Sequence, residues 1–84
     1  MKITWTMIPE SEGSRDYGDT YRAEADGKVV AEIRDGGWTT DLRFKGPLHD
    51  KEDIHKIDGV LIRHMPIGNI KAEAEKRIRE WLSI

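Results

Sequence analysis

The sequence predicts an α+β domain, an antiparallel meander of four to five strands with one C-terminal helix packed on one face. Three observations predict it. The tail 70–84 (IKAEAEKRIREWLSI) carries Ile70, Ala74, Ile78, Trp81 and Leu82 at the spacing of a single helical stripe, with Glu73, Glu75, Lys76, Arg79 and Glu80 opposite. Upstream of Gly46, apolar and polar residues alternate with the two-residue period of strands. The breaks between these runs are too short for a parallel crossover, so neighbouring strands must run antiparallel.

Lys2 to Ile8 places Ile3, Trp5 and Met7 on one face and Thr4 and Thr6 on the other, and Pro9 closes it. Residues 9–18 (PESEGSRDYG) have no period and read as a solvated loop. Runs at 19–25 and 28–34 flank Asp26-Gly27, a pair suited to a type I′ hairpin turn because both residues tolerate positive φ. On this hairpin Tyr21, Ala23, Ala25, Val29, Ala31 and Ile33 are expected inward, and Arg22, Glu24, Lys28, Glu32 and Arg34 outward. The small alanines leave room for a bulky cover, which Ile78 and Trp81 of the tail can supply.

Asp35-Gly36-Gly37 is a second turn, followed by a strand at about 38–45 with Trp38, Leu42 and Phe44 inward and Asp41, Arg43 and Lys45 outward, ended by Gly46-Pro47. Residues 48–58 (LHDKEDIHKID) admit a short helix from Asp50, a strand from Asp53 turning through Asp58-Gly59, or irregular structure with a single turn. Residues 60–65 are rich in β-branched and aliphatic side chains and read as a further strand, stopped by Pro66. The helix is expected over about 69–83 with Asn69 or Gly68 as N-cap. The chain thus reads as one domain, 1–84, with strands at about 2–8, 19–25, 28–34, 38–45 and 60–65.

At 84 residues there is room for one core, near the lower end of what folds unaided, which favours a dimer or a partner that completes it. Cysteine is absent, which removes disulfides, thiolate ligands and a thiol nucleophile, and agrees with a reducing compartment. Lys2, Glu10, Glu12, Arg15, Asp16 and Asp19 interrupt any apolar leader, and no stretch is apolar enough for a membrane span; a cytoplasmic protein is expected. Fourteen basic and 16 acidic residues nearly cancel, which argues against both a general nucleic-acid glue and a strongly acidic DNA mimic.

Candidate chemistry is sparse. His49, Asp50, Glu52, Asp53 and His55 crowd together, yet HDKEDIH has no metal-ligand spacing and its polarity is what an exposed loop requires. Ser11, Ser14 and Ser83 have no histidine near in sequence, and the glycines form no phosphate-cradling motif. Neither enzymatic activity, a metal nor a cofactor is expected. The candidate binding residues are Arg22, Arg34, Trp38, Arg43 and Lys45. Their cations stand on the outward sheet face among Glu24, Glu32 and Asp41, so the plain reading is cross-strand ion pairing. A single-stranded nucleic acid would need aromatics among those cations, and the alternation turns Trp5, Tyr21, Trp38 and Phe44 inward. Trp38, directly after Gly36-Gly37, is an interface anchor if it is exposed. Leu48, Ile54, Ile57, Leu61 and Met65 exceed what a connection needs and either cover the core's end or form a dimer contact.

The run Tyr21-Arg22-Ala23-Glu24-Ala25-Asp26-Gly27-Lys28-Val29-Val30, a Trp-bearing strand, then Lys71-Ala72-Glu73-Ala74-Glu75 and Trp81-Leu82 resembles small α+β proteins encoded by phages and prophages, over roughly half the chain. The resemblance implies an accessory protein that binds a host or phage protein, sometimes inhibiting it, as anti-CRISPR proteins do. The extra region between Gly46 and Ile67 departs from simpler members, which pass straight from strand to helix. The chain also looks like HicB-type antitoxins in placing a helix after a short meander, but lacks the strand expected after that helix. Together these readings give a non-enzymatic interaction module, with a protein partner or homodimer, and a nucleic-acid-binding module as the competing class.

Overall fold

The computed structural model describes residues 2–8, 18–36 and 39–83. Trp38 and most of the 9–18 loop lie outside the described residues. Strands β1 (Ile3–Ile8), β2 (Thr20–Ala25), β3 (Lys28–Asp35) and β4 (Thr40–Phe44) form one antiparallel sheet in the order β1-β2-β3-β4. Helix α1 (Ile67–Leu82) follows, so the predicted class, an α+β antiparallel meander with a C-terminal helix, is the one observed. No helix is long and apolar enough to cross a membrane.

The helix lies on the alanine-lined face. Ile70, Ala74 and Ile78 are buried with Ile3, Ala23, Ala25, Ala31, Ile33, Leu42 and Phe44, and Trp81 and Leu82 pack against this cluster. Small side chains in both layers let the helix sit close to the sheet. Its two flanks are tied to opposite sides of the sheet. On the β1 side, the Trp5 indole Nε1–H donates to Glu75 Oε2 at 2.9 Å, and Lys71 Nζ lies 4.8 Å from the centre of the Tyr21 ring. On the β4 side, Trp81 meets Phe44 edge to face at 4.7 Å, and Lys51 Nζ sits 5.2 Å from the Trp81 ring.

The helix begins two residues before its predicted start. Asn69 is not the cap: the Pro66 carbonyl accepts from the Asn69 and Ile70 amides, and Pro66 holds the extended conformation that precedes a first turn. Asp26 and Gly27 have φ of 53° and 76°, the positive values of the type I′ turn. Past the turn, however, the inward set shifts. Ala23 faces Ala31 but Glu24 faces Val29, so Val30 is an additional residue on β3, a β-bulge. Val30 is therefore buried while Val29, expected inward, is half-exposed, and Lys28, expected outward, stands opposite Ala25 on the helix side.

Residues 46–66 wrap one end and one edge of the sheet. Gly46–Leu48 form a 3-10 turn that seats Leu48 in the core. Ile54 then makes an isolated antiparallel bridge to Leu42. A small hairpin, β5 (Lys56–Ile57) and β6 (Val60–Leu61), turns through Asp58-Gly59 with φ of 52° and 81°. The strand expected at 60–65 is thus cut to two residues and stands apart from the main sheet. The reason is Ile62. Its amide bonds to the His55 carbonyl, its side chain is fully buried, and residues 62–64 coil into a 3-10 turn instead of staying extended. Ile57 and Leu48 are buried too, so these apolar residues cover the core's end.

Candidate functional site

The outward face of the sheet holds the predicted cations. In register, Thr6, Arg22, Glu32 and Arg43 form one row across all four strands, and Thr20, Arg34 and Asp41 the next. Strand alternation alone puts these side chains on the same side. Glu32 is the hub of the first row and only 8% exposed. Arg22 Nε donates to Glu32 Oε2 at 2.9 Å, and Lys45 Nζ lies 3.8 Å from Glu32 Oε1.

A second cluster adjoins the first. Arg43 Nη2 reaches Asp41 Oδ2 at 3.4 Å, its Nε is 3.7 Å from Asp53 Oδ2, and His55 Nδ1 is 2.8 Å from Asp41 Oδ1. Arg34, opposite Asp41, is engaged as well. The structure therefore brings Arg22, Arg43 and Lys45 together, but around carboxylates that neutralise them. Trp38, the remaining candidate, is outside the described residues. Phosphate binding here must first break these pairs, and the aromatic side chains that would stack bases, Trp5, Tyr21 and Phe44, lie against the helix.

The histidine-rich segment 49–55 is drawn apart. His49 Nδ1 turns to the Gly46 carbonyl at 2.9 Å, Asp53 faces Arg43 and His55 faces Asp41. Among the described residues no three His, Asp or Glu side chains gather into a metal-binding group. A cleft of about 170 Å³ opens between Thr39, Thr40, His55, Leu61 and Arg63, and another of about 250 Å³ lies beside Lys28, Pro47 and Leu82. Both fall short of the ~300 to 1,000 Å³ usual for small-molecule sites.

The feature that residue-by-residue reading missed is the contrast between the sheet's two edges. At β4 the Leu42 amide and carbonyl are both taken by Ile54, at 3.0 and 2.9 Å. At β1 no described segment pairs with the outer side of the strand. Between Lys2 and Pro9 this strand has no charge, proline or bulge, the usual devices that keep an edge from accepting another strand. Beside it Met7 is 53% exposed, one of two large apolar side chains so exposed among the described residues. The signal available earlier was positional: in a meander the first strand is an edge unless the chain returns to cover it. No family model, no curated protein and no solved structure matches the chain.

Proposed function

We propose that this chain is a small non-enzymatic protein-interaction module that takes its partner along the outer side of β1, where no described segment pairs. The observation that carries this reading is the asymmetry of the edges among the described residues: β4 is bridged by Ile54 at Leu42, whereas β1 has no described neighbour on its outer side and offers an uncharged six-residue strand with Met7 beside it. An added strand there gains main-chain hydrogen bonds along the edge and side-chain selectivity at alternate positions. Binding of this kind is what an accessory or inhibitor protein of a phage would use, the class that the sequence resembles.

The test is selection of extended peptides from a random library on the immobilised chain, followed by hydrogen exchange of the complexes. Enriched peptides are expected to slow exchange of β1 amides and to lose affinity for the Thr4→Lys/Thr6→Lys variant. Peptides that protect other strands and ignore that variant would refute the docking edge.

The nucleic-acid alternative has one point in its favour, the convergence of Arg22, Arg43 and Lys45, and the Glu32 and Asp41 pairings stand against it. A short single-stranded oligonucleotide in the same assay is expected to give no complex. Binding that falls steeply between about 50 and 200 mM salt would reverse that preference.

A further inference from the structure

The strand on this open edge has a symmetry that chooses its occupant. Read outward from Trp5, the sequence is Thr4 and Thr6, then Ile3 and Met7: an apolar-Thr-Trp-Thr-apolar palindrome. We infer that the partner of β1 is a second copy of β1, paired antiparallel about a two-fold axis at Trp5, giving one continuous eight-stranded sheet with both helices on the same side. The inference rests on the docking-edge reading above and names its partner.

In that register each residue meets chemistry like its own. Thr4 faces Thr6 of the second copy on the outward side, a cross-strand pairing that sheets favour. Ile3 faces Met7 of the second copy on the helix side, so the exposed thioether gains an apolar neighbour. The two Trp5 rings flank the axis, each already held by its own Glu75, so little side-chain freedom remains to be lost on pairing. A two-fold contact must be self-complementary, and a palindromic strand without charge meets that demand with no like-charge contact between the two strands themselves. The β4 edge does not: its outward side chains include Asp41 and Arg43, and Ile54 already occupies the amide and carbonyl of Leu42 at its centre. Regularity matters as well. The β1–β2 register runs unbroken from Ile3 to Ile8, whereas the bulge lies one strand further in, so no bulge interrupts the edge.

Sedimentation of the full chain across a concentration series tests the proposal, using two charge sets on exposed positions, Thr4→Glu/Thr6→Glu and Thr4→Lys/Thr6→Lys. Because Thr4 lies opposite Glu24 and Thr6 opposite Arg22, each set makes one favourable and one unfavourable neighbour within its own sheet, leaving the monomer fold balanced. The parent is expected to dimerise with Kd on the order of 10 μM, and each charged set to weaken this about tenfold or more. An equimolar mixture of the two sets is expected to recover a heterodimer, because opposite charges then face one another across the paired strands. A parent that stays monomeric to about 1 mM while still capturing peptides on β1 overturns the self-pairing and leaves the docking edge standing. A dimer indifferent to both charge sets overturns the self-pairing too. In either case the docking edge is judged separately, by whether selected peptides protect β1.

Discussion

The two faces of the sheet are built from the same strands but held by different forces. Toward the helix, Ala23, Ala31, Ile33, Leu42 and Ile78 are wholly buried, and nothing polar among them asks for a partner. Away from it, stability depends on pairs such as Arg22 with Glu32 and Arg43 with Asp41, whose arginines remain more than a third exposed. Apolar burial yields about 25 cal/mol per Å², whereas an exposed ion pair yields roughly 0 to 1 kcal/mol because water and salt screen it. The helix face accordingly determines whether the chain folds, and the outward face mainly keeps its charges paired.

The strongest way to break this contrast is Ile78→Ala. It should cost about 3 to 4 kcal/mol in urea unfolding, a large share of the stability a single small domain has. A loss under about 1 kcal/mol would mean that the helix does not depend on its buried stripe. Gly46→Ala probes the junction where the chain leaves the sheet. Gly46 has φ of +58°, and an added Cβ would stand 2.6 Å from the Val29 carbonyl oxygen, so the substitution should cost about 2 kcal/mol. Equal stability of parent and variant would show that this turn is free to rebuild itself. The smallest effect is expected on the outward face. A double-mutant cycle on Arg22 and Glu32 should give a coupling of about 1 kcal/mol or less, reduced by salt. A coupling above about 2 kcal/mol would erase the distinction between the faces and make Glu32 a structural keystone.

The same contrast explains what could be read in advance. The helix stripe was visible because Ile70, Ala74 and Ile78 repeat with the helical period, and burial follows period directly. The outward cations were visible because strand alternation fixes Arg22, Arg43 and Lys45 on one side. Their neutralisation was half visible: Glu32 and Asp41 alternate with them, but Asp53 and His55 arrive from a segment whose path no local rule fixed. Two adjacent valines gave no hint that Val30 and not Val29 would turn inward, because a bulge is chosen by tertiary packing and not by local preference. Val60, Leu61 and Ile62 look alike as strand formers, yet Ile62 is drawn into the core and ends the extension. The open edge depended on topology: it appears only once Ile54 is seen bonding to β4 and no described segment to β1.

Val30 has one more effect. By adding a single residue beside the Asp26-Gly27 reversal, it separates the parity of the hairpin's tip from that of its stem. The tip behaves like a vernier: a one-residue deletion there would remove the bulge at Val30 and leave Ala31 and Ile33 facing the interior. Loss of one residue at this corner should therefore be tolerated where the same loss inside β1 would invert every side chain beyond it.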